Sequence, residues 1–436
     1  MPLAASPRRA VLMLQGPASA LWRDTRDILV ARGHRVDHVA LSLGDRLFWR
    51  RPGRIDFSGS LDDWPDWVGA LIRREGYSDI LYFADCLPYH AATARTALAL
   101  GRRAWAIENG YLRPDWLTME PVGMGRRSRF TRCPDRLRSL AASAPAIDMA
   151  PRFAVPFATE ARCEMAFNLA HAASRPFYPG WQSDRLVPAW REYLGWLPYL
   201  ARRSRTRAQA AAVEQAAMQP GPPYALLAMQ METDYQLRVS SDFDGQAEML
   251  ELVLASMARR ARSDLRLVVK LHPFDNGLID WATLIAKMAD RFGLGGRVDV
   301  IRGGRLDNLL ARAHGLITVN STSAVYALRA GRPVLALGDA VYDVRGLTHQ
   351  GGLDRFWAAP EAPDREMVDI WLRAVAAEIQ IRGHQMHPIG RRLAAREIAE
   401  RLEQAERYWR LWRDEHGVEA SATPTPTTSD ATALAG

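Results

Sequence analysis

Three short motifs carry most of the reactive side chains grouped near predicted strand ends. Glu108-Asn109-Gly110 follows the apolar run RAWAI and continues as YLRPDWLTME. A carboxylate at a strand end, with glycine behind it, can be presented into a cleft as a base or nucleophile. The triplet equally fits an ordinary loop acid opening a turn. Lys270-Leu271-His272-Pro273 closes the apolar run LRLVVKLH. An ammonium and an imidazole there can hold a phosphate by charge and hydrogen bond. Pro273 restricts His272 to extended backbone and so fixes where the ring emerges. The plain alternative is a surface histidine. Asn320-Ser321-Thr322-Ser323 lies between GLITV and AVYALRAG. Hydroxyl residues there suit helix capping, and the same helix start offers free N–H groups to an anion.

Weaker candidates also follow predicted strands. They are Gln15 and Gly16 after the first strand, Asp85 after DILYF, Glu232 and Asp234 in QMETDYQ, and His349 and Gln350 in GLTHQGGLDRFW. Each alone fits a structural role better than a catalytic one. There is no GxGxxG after the first strand and no GxxxxGK[ST], which disfavours a dinucleotide oxidoreductase or a P-loop ATPase. Without HExxH or paired CxxC, neither a metal nor a cofactor is expected.

These motifs need strands that end in one cleft. The first third alternates strands (10–16, 35–41, 79–84, 103–108) with helices (to about 32, 61–76, 88–101). A second series begins at 224: strands at 265–272, 298–303, 315–320 and 333–338 alternate with helices near 245–262, 278–292, 306–313 and 323–331. Such alternation predicts α/β architecture with parallel sheets covered on both faces. Ligands then bind outside the carboxyl ends of the strands. The expected organisation is a Rossmann-like unit at 1–150 and a helical segment at 151–218 packed on it. A linker at QPGPP leads to a second Rossmann-like unit at 219–385, a long helix at 386–416 and a disordered tail at 417–436.

Bulk properties narrow the function. The chain has 436 residues, 48% hydrophobic and 24% charged, which is globular composition. No apolar run reaches the roughly 18 residues of a membrane span. The run Ala10 to Leu14 reads as a strand rather than a secretory core. Cys86, Cys133 and Cys163 have no CxxC spacing, which fits a reducing cytoplasm. The net charge of +8 suits an anionic partner: nucleic acid, membrane or small substrate. Almost all of the basic residues are arginine, Lys270 and Lys287 being the exceptions. Residues 175–207 interleave seven arginines and two acids with Trp181, Trp190, Trp196, Tyr178, Tyr193 and Tyr199. Such a stretch can stack on bases, lie at a bilayer interface, or simply pack its aromatics inward. No nucleic-acid-binding motif accompanies the charge, so the membrane surface ranks above nucleic acid.

Taken together, an acidic-x-Gly motif, then His-Pro, then Ser-Ser/Thr resembles the signature of bacterial sialyltransferases and related CMP-sugar transferases of GT-B architecture. The strings IENGYLRPDWLTME, QMETDYQLRVSSDF, VVKLHPFDNGLIDW and ITVNSTSAVYALRAGRPVLALGDAVYDVRGLTHQGGLDRFW, with LSLGDRLFWRRPG, are similar to the capsule polysaccharide biosynthesis and export family of the KpsS/LipB type. That resemblance covers roughly residues 10–360. It implies a GT-B-like fold: two Rossmann-like domains facing a cleft, the first for acceptor and the second for donor. It also implies β-Kdo transfer from CMP-Kdo, with retention, to a lipid acceptor (lyso-phosphatidylglycerol) at the inner face of the inner membrane. A second Kdo transferase and the capsule ABC exporter are implied partners. By the same resemblance Glu108 and Gly110 match the acidic motif, while His272, Pro273, Ser321 and Thr322, with Lys270 beside them, hold the CMP. Arg113 is a partner for the Kdo carboxylate. Asn109 stands where related enzymes often carry a second acid, which makes Glu120 and Asp85 rival carboxylates. The alternatives are a non-catalytic export component and a GT-B enzyme for another nucleotide sugar.

Overall fold

The runs AVLM, DILYF and RAWAIEN are too apolar to face water on either side, and they lie together in one sheet. In a computed structural model, which describes residues 8–183, 187–275 and 277–414, that sheet has seven strands. In chain order they are β1 (Ala10–Met13), β2 (Arg35–Ala40), β3 (Arg54–Asp56), β4 (Asp79–Phe83), β5 (Arg103–Asn109), β6 (Trp116–Pro121) and, far downstream, β12 (Gln380–Arg382). The spatial order is β12-β6-β5-β4-β1-β2-β3. The five strands from β5 to β3 are parallel, with Leu12 beside Ile80 and Leu81 beside Trp105. The second sheet holds β7 (Tyr224–Ala228), β8 (Arg266–Leu271), β9 (Val298–Arg302), β10 (Leu316–Thr318) and β11 (Val334–Ala336). Its order is β11-β10-β7-β8-β9, parallel throughout. Two Rossmann-like α/β units therefore face each other across a cleft in a GT-B-like arrangement.

Each sheet is covered on both faces. One face of the first sheet buries Leu21, Trp22 and Leu29 of helix Leu21–Ala31 beside Ile398 and Leu402 of helix Pro388–Glu403. The other buries Trp64, Val68 and Ile72 of helix Trp64–Glu75. In the second unit, helices Gln246–Arg260 and Trp281–Arg291 cover one face. Helices Ala189–Met218, Ser323–Arg329 and Arg365–Glu378 contribute to the core on the other.

The structure redraws three boundaries. First, β5 does not end in a loop at Glu108. Glu108 and Asn109 are its last residues, opposite Thr118 and Leu117 of the antiparallel β6. The alternation that would betray β6 is missing, because its four central residues are all buried. Second, β12 lies within 219–385 by sequence but pairs antiparallel with β6 of the first sheet. Buried Arg401 secures the return of the chain by donating to the carbonyls of Glu378 and Gln380. Third, the segment 151–218 divides between the units. Helix Phe157–Ala172 packs on the first unit, where Phe167 closes over Gly44 and faces Phe48. Helix Ala189–Met218 packs instead on the second unit through the buried small residues Ala210 and Ala217. There Gln209 donates to the Val300 carbonyl at 3.1 Å, and Glu214 accepts from Arg305 N–H at 3.1 Å.

The expected helix at 386–416 is two helices, Pro388–Glu403 and Ala405–Asp414, divided at Gln404. The expected disordered tail at 417–436 lies outside the described residues. No described helix is long and apolar enough to cross a membrane.

Candidate active site

The cleft encloses about 770 Å³ of empty space, partly open to solvent. From the first unit it is lined by Glu108 and Asn109 at the end of β5, by Tyr111 and Arg113 in the β5–β6 turn, and by Met124 and Gly125. From the second come Gln230, Asp234 and Gln236 after β7 and His272 after β8. Asn320, Ser321 and Thr322 after β10, and Asp339 to Tyr342 after β11, complete the wall. Every one of the second-unit residues lies beyond the carboxyl end of a parallel strand, as the topology requires.

Glu108 sits deep in this space. Burial, followed by the negative charges of Asp85 and Asp234, raises its carboxyl to about 8, while Arg113 and Gln236 partly oppose the shift. A carboxylate poised near neutrality at a cleft floor is suited to accept a proton or attack an electrophile. Arg113 is the one lysine or arginine among the described lining residues, and its field reaches Glu108, Asp234 and His272. Its backbone carbonyl accepts from the Tyr326 hydroxyl of the opposite unit at 3.3 Å.

His272 is neutral over the physiological range. Burial, then Arg113 and Lys270, pull its imidazole down to about 4. Its Nδ1 accepts the Phe274 N–H at 3.1 Å, so the proton of the neutral ring resides on Nε2 as a donor. After β10, Asn320 is held from two sides. Its N–H and Oδ1 pair with the Gln230 amide at 3.2 and 2.8 Å, and its Nδ2 donates to the Gln236 carbonyl at 3.1 Å. Ser321 Oγ accepts the Ser323 N–H at 3.2 Å, and the Tyr342 hydroxyl donates to the Ser321 carbonyl at 2.8 Å. Thr322 occupies the N-cap position without a side-chain capping bond. The Ser323 N–H is instead capped by Ser321, and Thr322 is among the residues that line the cleft.

Several candidates from the sequence lie elsewhere. Asp85 is buried behind the cleft floor, accepting from Met124 N–H and Gln236 Nε2 at 3.2 Å each; it acts on Glu108 through charge. Glu120 is buried on β6 and accepts from the Tyr111 and Ser128 hydroxyls, so it supports Tyr111 from beneath. Burial raises this acid to about 8 as well. Lys270 does not line the cleft. It is partly buried toward helix Ala189–Met218, where burial lowers its ammonium and Glu214 partly restores it. Gly110 is spacing rather than surface: a Cβ there would meet Trp116 O and Gln380 Oε1 at 2.6 Å.

Gln15 and Gly16 also lie off the lining, Gly16 being packed against the Trp22 indole. Pro273 shapes the His272 turn without itself lining the cleft. His349 is buried and bonded to the Gly352 carbonyl, and Gln350 is exposed, bonded to Asp343. Gln230, Gln236, Asp339 and Tyr342 were not anticipated from sequence. Gln230 and Asp339 follow β7 and β11 closely, so the strand-end rule alone could have found them.

The two units are joined at the cleft rim by Arg126, whose guanidinium pairs with Asp242 at 2.6 Å and Asp339 at 2.5 Å. Its N–H donates to Ser240 Oγ at 3.1 Å. Among the described residues no group of acids, histidines and cysteines is arranged to hold a metal.

Residues 78–385, which carry every motif of this cleft, match the family model described as capsule polysaccharide biosynthesis protein. The chain belongs to that family. Within it, this capsule-family protein is 30% identical over 366 residues to the capsule polysaccharide export protein KpsS of Escherichia coli, covering 82% of this chain and 91% of that one. It is 27% identical over 367 residues to the capsule polysaccharide modification protein LipB of Neisseria meningitidis, covering 82% and 87%. Among solved structures it is similar to the KpsC β-Kdo 2,7 transferase of Thermosulfurimonas dismutans. That likeness has 15% identity and a TM-score of 0.42, over 91% of this chain and 99% of the other.

Proposed function

We propose that this capsule-family protein is a retaining glycosyltransferase that moves β-Kdo from CMP-Kdo to a lipid acceptor, lyso-phosphatidylglycerol, on the inner face of the inner membrane. The observation that carries this reading is the meeting of Glu108 and Arg113 from one unit with His272, Ser321 and Thr322 from the other in a single cleft. In this reading Glu108 attacks the anomeric carbon of Kdo, and the bond from that carbon to the phosphate oxygen breaks. CMP leaves with the bonding electrons. His272 Nε2–H, the two hydroxyl residues and the N–H groups beside them receive its phosphate. Arg113 pairs with the Kdo carboxylate. The acceptor hydroxyl then attacks the same carbon, Glu108 leaves as a carboxylate, the hydroxyl proton passes to the CMP phosphate or to water, and the starting configuration is restored. None of these steps calls for a metal.

The test is CMP release from CMP-Kdo, generated in situ, with and without lyso-phosphatidylglycerol. Lipid-dependent release with a mass gain of one Kdo is the expected result. Release that is matched by another nucleotide sugar, or that ignores the lipid, overturns the donor or the acceptor. A second reading, a non-catalytic export component, is favoured by the export role in the name of the Escherichia coli relative. It predicts lipid binding and no CMP release.

His272→Ala is expected to raise the KM for the donor by about tenfold to a hundredfold, since a hydrogen bond to a charged phosphate is worth roughly 1.5–3 kcal/mol. His272→Gln, whose amide can donate from a similar place, should recover part of the loss. Steady-state kinetics on both variants checks this.

A further inference from the structure

Helix Phe157–Ala172 is apolar on both sides, but only one side is covered. Phe167, Asn168 and His171 face the first unit and the neighbouring helices. Phe157 opens the helix, Met165 and Leu169 lie one turn apart on a single stripe of it, and Phe177 follows in the turn beyond. They are 60%, 45%, 63% and 60% exposed. A helix of a globular protein normally turns polar residues outward, and an exposed apolar patch of this kind marks a contact surface.

Two other elements extend the patch. Trp190, Tyr193 and Leu194 are exposed at the start of helix Ala189–Met218, and the Tyr193 hydroxyl accepts from Asn168 Nδ2 at 3.1 Å. Phe274 stacks on Phe157 with ring centroids 5.8 Å apart. Phe274 and Leu278 are themselves exposed, in the loop that begins at the cleft residue His272. Arg162, Arg175 and Arg191 are exposed within or beside the patch, and Arg205 and Arg207 farther along the second helix.

We propose that this aromatic and arginine face is a docking surface for an anionic lipid bilayer. Large apolar and aromatic side chains flanked by arginine match the interfacial zone of a bilayer, where rings enter the acyl boundary and guanidinium groups meet phosphate. The charge is one-sided: among the described residues from 157 to 207, the exposed charged residues are Arg162, Arg175, Arg191, Arg205 and Arg207 against one acid, Glu164. Because Phe274 and Leu278 share their loop with His272, docking through this face brings the cleft mouth to the headgroup layer. That last consequence rests on the reading that the acceptor is a lipid; the docking itself does not.

The test is co-sedimentation of the full chain with vesicles of phosphatidylcholine alone and with about one-third phosphatidylglycerol. Binding is expected to the anionic vesicles and to weaken as salt is raised. The pair Leu169→Glu with Trp190→Glu should weaken it by about tenfold or more, because both charges enter the apolar layer. Leu252→Glu, on an exposed position of helix Gln246–Arg260, should leave it unchanged. All three positions are exposed, so the thermal melts should match the parent; Phe177→Ser serves as a milder variant with a smaller loss in the same direction.

The proposal fails if the parent ignores anionic vesicles or if the paired variant binds like the parent. It also fails if the parent is a dimer that the paired variant dissociates without any vesicle binding, which would make the face a contact between copies. CMP release from detergent-dispersed acceptor separates the two readings. If docking fails while release persists, only the surface assignment falls. If vesicle binding persists without release, only the transferase falls.

Discussion

Glu108→Gln is expected to lower sugar transfer by about a thousandfold or more while the protein still binds its donor, as loss of a nucleophile or base does elsewhere. The substitution keeps the shape of the side chain at the end of β5 and removes only its ability to ionise. The pH profile of the parent tests the role more sharply. With the carboxyl near 8, a nucleophile or base gives a kcat/KM that rises with pH through about 8 in the free enzyme. A general acid gives the opposite limb. Asp234→Asn should move the rising limb to lower pH, because Asp234 is one of the charges that raise Glu108. Asparagine caps as well as aspartate, so helix Tyr235–Val239 keeps its N-cap. Full activity in Glu108→Gln would remove the site assignment.

The same substitution has a consequence for stability. Between about 4.5 and 8 the folded protein retains a proton on Glu108 that the unfolded chain releases. The contribution of that proton is fully present below the unfolded value and is lost as pH rises through the folded one. Glutamine cannot ionise, so Glu108→Gln should exceed the parent in stability above pH 8. Allowing for the partial opening of Glu108 to the cleft, about 1–2 kcal/mol is expected. Urea melts of both proteins at pH 6 and pH 9 give the difference directly; Glu120, raised to the same degree, contributes equally to both and cancels.

Arg113→Ala is expected to cost about a hundredfold to a thousandfold in kcat/KM. With no other lysine or arginine on the described lining, nothing there replaces its charge against an anionic sugar or phosphate. Arg113→Lys should recover only part, since an ammonium does not reproduce the two-pronged geometry of guanidinium against a carboxylate. Because Arg113 also holds Glu108 down, its removal should shift the rising limb of the pH profile upward. An unchanged profile together with unchanged kcat/KM would place Arg113 at the rim without a role.

The alternating strands of both units, and the cleft at their carboxyl ends, follow from apolar runs and helix periods alone. Parallel strands must be buried on both faces and their loops must open on one side. His272, Ser321 and Thr322 could be placed in that way, because each follows a long apolar run directly. Lys270 could not. Period two puts it on the same side of β8 as His272, but helix Ala189–Met218 covers position 270 and leaves 272 at the open end. The nearby acids posed the same difficulty. Glu108, Asp85, Glu120 and Asp234 are alike as letters, and their separate roles depend on packing: Glu108 and Asp234 reach the cleft, while Asp85 and Glu120 are buried behind it. The return of β12 to the first sheet is likewise invisible in three residues, QIR, because an antiparallel edge pairing is defined by its partner β6 and by the Arg401 bonds that hold the returning chain. Local sequence sets which strands and loops can exist; long-range packing sets which of their side chains share a cavity.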